Sequence, residues 1–248
     1  IADPNDGSGF GARTSATFTD SSQWYHLCIG IDSTAGSGSR FKLEVNGIEQ
    51  TLIANLGGST LPTEPSSSQS MNLNEGNDFT IGRRHRTSGN YFDGYLANVY
   101  FIDGEKKQAS DFGQLDTSTN RWVAKAYSGS YGNNGFKLAF GTASTGNGNT
   151  NGVGTDTSGE EHNWTEQGFG TNDQVTDSPS KNFATLSQVI GPTPSHSTGG
   201  DATMSDGNLR ATLTGGSNSN SSTQATSEAF AIQEGKWYFE VEAVTIAN

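Results

Sequence analysis

The chain has 248 residues, of which 31% are hydrophobic and 10% aromatic, so its apolar content sits in a few large side chains that still support a core, and a disordered tail is excluded. Its 33 glycines, about twice the ~7% of an average protein, disfavour long helices and point to an all-β chain with long turns. A net charge of -12 repels a phosphate backbone, and no apolar run approaches the ~18 residues of a membrane helix, so nucleic acid and membrane insertion are both set aside.

Residues 23–31 (QWYHLCIGI) are apolar, aromatic and β-branched after a polar run, as in a core strand opening at Trp24. Cys28 is the single cysteine, which leaves no internal disulfide and no Cys-based zinc site and fits a particle or appendage assembled in a cytoplasm. Residues 40–45 (RFKLEV) alternate, with Phe41, Leu43 and Val45 on the core face and Lys42 and Glu44 on the solvent face. Asn46-Gly47 then supplies a type I′ turn, so 40–45 should pair antiparallel with 48–53. Residues 56–77, with Pro62 and Pro65, form a surface loop, and 78–82 (DFTIG) a short strand. In 92–102 (FDGYLANVYFI), Leu96 and Val99 are out of phase, which suggests a bulge near Ala97-Asn98.

Residues 135–140 (GFKLAF) alternate again, with Phe136, Leu138 and Phe140 inward. The Gly/Thr/Asn/Ser-rich stretch that follows reads as an extended connector pinned at Trp164 and ordered against neighbouring molecules. Strand character resumes at 182–189, 207–213 and 229–246, most clearly in the run G-K-W-Y-F-E-V-E from Gly235. A start at Ile1 and an end at Asn248 on a strand pattern read as an excerpt of a longer chain.

The order W-Y-H from Trp24, F-K-L-E-V-N-G from Phe41, D-F-T-I-G-R from Asp78 and Y-F-D-G-Y-L-A-N-V-Y-F-I-D-G from Tyr91 resembles a laminin-G/concanavalin A-like jelly roll. The continuation resembles a group of large bacteriophage virion proteins. It runs through D-F-G from Asp111, Trp122, the segment 125–136 (KAYSGSYGNNGF), N-W-T from Asn163, D-S-P from Asp177 and N-F-A-T-L from Asn182. In those proteins a laminin-G-like module precedes a SPRY-like sandwich opening G-K-W-Y-F-E-V. The resemblance implies an antiparallel β-sandwich of concanavalin A-like jelly-roll type over 1–140, a connector over 141–182 and the start of a second, partial β-sandwich over 183–248. It also implies a place in the virion as a tail appendage, fibre or capsid decoration.

Arg83, Arg84 and Arg86, with His85, form the basic cluster after the 78–82 strand, and with Asn90 and Tyr91 they are the candidate glycan-binding residues, since arginine and amide groups hydrogen-bond hydroxyls and an aromatic ring stacks on a sugar. The plainer reading is a solvated loop. Asn90, Asp93 and Asp103 are the candidate oxygen ligands for calcium, although Asn and Asp occupy such turns for backbone reasons alone and no compact D-x-D-x-D spacing is present. Tyr91, Tyr95, Trp122, Tyr127 and Tyr131 could stack sugars or serve as core and corner residues.

No E-x-D-x-E carboxylate pattern and no G-x-S-x-G is present, so no enzymatic activity is expected; Glu240 and Glu242 read as the solvent side of a half-buried strand. The expected role is binding to other virion proteins, including copies of itself, and to host-surface polysaccharide. The alternatives are a glycan-degrading enzyme of the same fold and a secreted bacterial adhesin.

Overall fold

A computed structural model describes residues 10–20, 23–54, 63–69, 80–83, 89, 91–141, 151–170, 173–181, 183, 185–187, 202–213, 226–227, 238 and 240–244. Among these the chain is all-β, with short strands and a single four-residue helix. Every pairing between strands is antiparallel, in six sheets of two or three strands each.

The strands β1 (Arg13–Thr14), β2 (Leu27–Ile31), β3 (Phe41–Val45), β4 (Ile48–Glu49) and β5 (Leu52–Ile53) come first. The three-stranded sheet β2-β3-β4 is built on the Asn46-Gly47 turn. Both turn residues lie in the left-handed region, with φ of 49° and 76°, as a type I′ turn requires. The ladder runs Val45↔Ile48 and Glu44↔Glu49 and continues as the Gln50 N–H donates to the Leu43 carbonyl at 2.9 Å. Beyond it, Leu52–Ile53 leaves this sheet and pairs with β1.

The alternation in β3 holds for only part of its length. Phe41 and Val45 are buried, with Phe10 edge-on to Phe41 at a ring separation of 5.2 Å. Glu44, expected in solvent, is 7% exposed. Its carboxylate accepts the Ala109 N–H at 2.8 Å and pairs with Lys42 at 3.3 Å, and this double pairing lets a charge sit inside. The expected core strand at Trp24 begins instead at Leu27, and Leu27 and Ile29 are 62% and 45% exposed while Cys28 and Gly30 face inward.

After β6 (Val99–Phe101) comes the helix α1 (Ala109–Phe112), then β7 (Gly113–Asp116), β8 (Arg121–Ala124) and β9 (Phe136–Leu138). The bulge expected near Ala97-Asn98 is a sharper break: Asn98 has φ 51°, and the strand begins only after it. The helix fills the face of β2 and β3 that carries Cys28 and Glu44. Cys28, Ala109 and Phe112 form the buried cluster, with Tyr100, Ile102, Trp122 and Tyr127 packed around it. In β9, Phe136 and Leu138 are buried as their spacing predicts, but Phe140 lies beyond the strand with φ 54°.

Contacts cross the expected module boundary at 140. Trp164 packs on Phe136 at 4.9 Å, its N–H donates to the Gly154 carbonyl at 2.8 Å, and Val153 is 6% exposed. The Trp24 indole donates to Asp177 Oδ2 at 2.9 Å, and Asp177 Oδ1 in turn accepts the Phe183 N–H. The described residues around Trp164, the expected pinning point of the connector, are folded onto β9.

Further along are β10 (Leu186–Ser187), β11 (Ala202–Ser205), β12 (Arg210–Leu213) and β13 (Thr226–Ser227), with β11 paired to β12 and β10 to β13. The strand expected from Gly207 starts at Arg210, because Asp206, Gly207 and Asn208 all have positive φ and form the turn of the β11–β12 hairpin. In the expected strand near the C-terminal end, Tyr238, Val241 and Val244 are 84%, 81% and 62% exposed, and residues 240–244 lie in no strand.

Candidate functional site

Residues 80–83 and 91–92 run antiparallel for one step. Arg83 bridges to Tyr91, and the Phe92 N–H donates to the Gly82 carbonyl at 2.8 Å. Gly82, with φ 79°, turns the chain into this step, and the Thr80 hydroxyl donates to the Arg83 carbonyl at 2.9 Å. Of the strand expected at 78–82, residues 78 and 79 lie outside the described residues, while 81–82 form a bend and Arg83 the bridge. Of the basic cluster, Arg83 is exposed; Arg84, His85 and Arg86, and likewise Asn90, lie outside the described residues.

Beside Arg83 stands an exposed aromatic run. Tyr91 is 69%, Phe92 54%, Tyr95 49% and Leu96 42% exposed. At Gly94, φ is 156° and a Cβ would stand 2.9 Å from the tip of the Phe92 ring, so a side chain here would have to push that exposed ring aside. The sequence reading placed Phe92 and Leu96 in the broken strand pattern of 92–102. The D-G pair at 93–94 was the available signal that the chain turns outward there, since such pairs mark turns.

The remaining aromatics of the candidate sugar surface separate from Tyr91 and Tyr95. Phe112 stacks on Tyr127 at 5.0 Å, Tyr127 meets Tyr131 edge-on at 5.3 Å, and Tyr131 stacks over Tyr100 at 6.5 Å. Burial pushes the Tyr100 and Tyr131 phenols above their ordinary range. Trp122 lies against His26 at 5.8 Å. These rings line the wall of the core, whereas Tyr91, Phe92 and Tyr95 are exposed together within one short stretch.

The candidate calcium ligands are placed as follows. Asp93 is exposed, whereas Asp103 Oδ2 accepts both the Asn134 side-chain amide at 2.8 Å and the Asn134 N–H at 3.2 Å. The Asp103 N–H donates to the Tyr131 carbonyl at 2.9 Å. Asp103 thus closes the 131–134 turn. Among the described residues no group of three His, Cys, Asp or Glu side chains is placed to share a metal ion, and none of the described helices is long and apolar enough to cross a membrane.

Chain segments distant in sequence meet next to the aromatic run. A Cβ on Gly207 would stand 3.5 Å from the Tyr95 hydroxyl and 3.3 Å from Val175. Asp206, beside it, accepts the Thr176 N–H at 2.7 Å and the Thr176 hydroxyl at 3.0 Å, which fixes the hairpin turn in place. No signal in the sequence linked residue 207 to residue 95.

No family model, no curated protein and no solved structure matches the chain.

Proposed function

We propose that the chain is a structural component of a bacteriophage virion, a tail appendage, fibre or capsid decoration, whose concanavalin A-like sandwich acts by binding and not by chemistry. The observation that carries the binding role is the exposed run Tyr91, Phe92, Tyr95 and Leu96 beside Arg83. Water-exposed aromatics in one short stretch are a cost to a monomer and mark a surface meant to be covered. Arginine and tyrosine side by side suit a partner that offers both hydroxyl groups and apolar faces, as a host-surface polysaccharide does. The setting in a virion rests on the resemblance of residues 24–186 and of the run from Gly235 to phage virion proteins. The charge of -12 fits a component kept off the packaged genome.

The test is to purify particles of the phage that encodes the chain and to locate it by mass spectrometry and immunogold labelling. Stoichiometric presence on the outer surface is expected. Absence from washed particles, with the protein in the soluble lysate, overturns the virion assignment. Release of reducing sugar from a polysaccharide by the purified protein would overturn the binding-only role.

A further inference from the structure

We propose that the outer edge of β2 docks a second copy of this chain, whose run 238–244 adds to the sheet as a further β-strand. This surface is separate from the aromatic run at Tyr91–Leu96 and stands whether or not that run binds a sugar.

The open edge follows from the ladder. The Asp32 N–H donates to the Arg40 carbonyl and the Asn46 N–H to the His26 carbonyl, both at 2.9 Å. In an antiparallel pair every second residue exchanges its bonds with the residue opposite, so Cys28 and Gly30, opposite Glu44 and Lys42, bond to β3. Leu27, Ile29 and Ile31 therefore turn their N–H and C=O groups the other way. Among the described residues no group is hydrogen-bonded to these, and β2 is the end strand of its sheet. Leu27 and Ile29 are also 62% and 45% exposed. An edge strand with free backbone groups and bare apolar side chains is a template for pairing with another strand.

The occupant follows from the run 238–244. Tyr238, Val241 and Val244 are 84%, 81% and 62% exposed, Glu240, Glu242 and Ala243 are exposed as well, and the described residues of this run lie in no strand. The Tyr238 hydroxyl donates to Glu240 Oε2 at 3.3 Å, so these two side chains lie on one side of the chain, as alternate residues of a strand do. The same alternation puts Val241 and Ala243 on the side opposite Glu240 and Glu242.

Laid along β2, the Val241 side continues the apolar face of Leu27 and Ile29, and the glutamates fall on the face of Gly30. There the atoms that would lie nearest a Cβ belong to the Lys106 side chain and the Lys107 carbonyl. Lys42 is paired with Glu44 and Glu49, Lys107 with Glu105, and Asp32 accepts the N–H and hydroxyl of Thr34. Lys106 donates to a neutral acceptor, the Ser39 carbonyl, and is the ammonium left to meet a glutamate. Within one chain β2 and the run are not paired with each other, so the pairing takes two copies. A contact between different surfaces of two copies closes into a ring or a swapped dimer, or grows into a fibre.

The experiment uses the full chain, with its mass followed by light scattering over a concentration series and its amide hydrogen exchange measured in parallel. Two variants each block one side: Ile29→Lys at the edge and Val241→Lys in the run. Near-UV circular dichroism checks their folding, and Leu27→Lys, at the more exposed position, replaces Ile29→Lys if that variant is disturbed. The wild type should assemble as its concentration rises, with the Ile29 N–H becoming protected and the Cys28 N–H protected throughout. Each variant should raise the midpoint concentration for assembly by about tenfold or more. Mixed one to one at a concentration where each alone is monomeric, the two variants should form a heterodimer, since one keeps the run and the other keeps the edge. A wild type that stays monomeric at millimolar concentration, or assembly that both variants retain, would overturn the proposal. Loss in Val241→Lys alone would overturn β2 as the acceptor, and loss in Ile29→Lys alone would overturn 238–244 as the occupant. A monomer in which Val241→Lys strips protection from Ile29 would place the pairing within one chain and overturn the second copy.

Discussion

The indole Nε1–H of Trp122 donates to Nδ1 of His26 across 3.0 Å, joining residues 96 positions apart. Because the indole can only donate, Nδ1 must be unprotonated, and the His26 ring is therefore neutral with its proton on Nε2. Burial holds the ring below its ordinary value of 6.5, with the Glu44 carboxylate acting in the opposite direction. The folded chain thus binds fewer protons here than the unfolded chain. The stabilisation is present above about pH 6.5 and is lost as the pH falls below it.

Thermal unfolding followed by near-UV circular dichroism between pH 7.5 and 5 should show this loss. His26→Asn keeps an acceptor near the position of Nδ1 and cannot titrate, so its Tm should fall less over the same range. Parallel Tm curves for the two proteins would show that His26 does not carry the acid sensitivity.

The same indole explains why the hairpin turn needs glycine. A Cβ on Gly47 would lie 2.2 Å from the Trp122 ring, and φ at this position is 76°. Gly47→Ala meets both the left-handed strain and the ring, and should cost at least about 2 kcal/mol. Asn46→Gly tolerates the φ of 49° but loses the Oδ1 acceptor of the His26 N–H, so its cost should be smaller. Denaturant unfolding of the two variants would check the order; equal midpoints would show that the indole yields.

The Asn46-Gly47 turn was legible in the sequence because it is local: two residue types with the required φ between two alternating segments. Phe41 and Val45 were legible for the same reason. Glu44 was not, since its burial depends on a helix N–H 65 positions away, and alternation alone marks a glutamate as solvent-facing. The helix was missed because four residues carry no helical period. Arg83 and Tyr91 were read as neighbours from their short separation, whereas the approach of Gly207 to Tyr95 is set by the Thr176–Asp206 clamp, a pairing that no pattern within either segment encodes.

Cys28 is walled in by Ala109 and Phe112. Burial, and then the carboxylates of Glu44 and Asp111, push its thiol up to about 11. Since the thiolate is the reactive form, the native protein at pH 8 should react with a disulfide reagent far more slowly than a free thiol does, and should take up one equivalent at once in denaturant. Fast native labelling would show that the Cys28 face of the sheet opens.

Asp156 gathers the segment after the Gly-rich stretch onto β9. Its Oδ1 accepts the N–H groups of Lys137 and Ser158, both at 2.8 Å, and its Oδ2 accepts the Ser158 hydroxyl at 2.8 Å and the His162 N–H at 2.9 Å. His162 then reaches back to β9's flank, its Nδ1 donating to the Gly135 carbonyl at 2.9 Å. Burial opposes the charge, but these donors outweigh it and hold the carboxyl below its ordinary value of 3.8. A depressed carboxyl contributes stability that is full above about pH 3.8 and is lost as the pH falls below this through the lower folded value. Asp156→Ala leaves backbone N–H groups without an acceptor and should cost about 2 kcal/mol or more. The loss should be local before it is global: amide hydrogen exchange at 153–164 should speed up in the variant at pH 7, while exchange in β2 and β3 stays near that of the wild type. Lowering the pH through the depressed value should bring the wild type toward the variant's protection pattern in that segment. Unchanged exchange at Val153 and Trp164 in Asp156→Ala would mean that the Phe136–Trp164 contact alone holds the segment down.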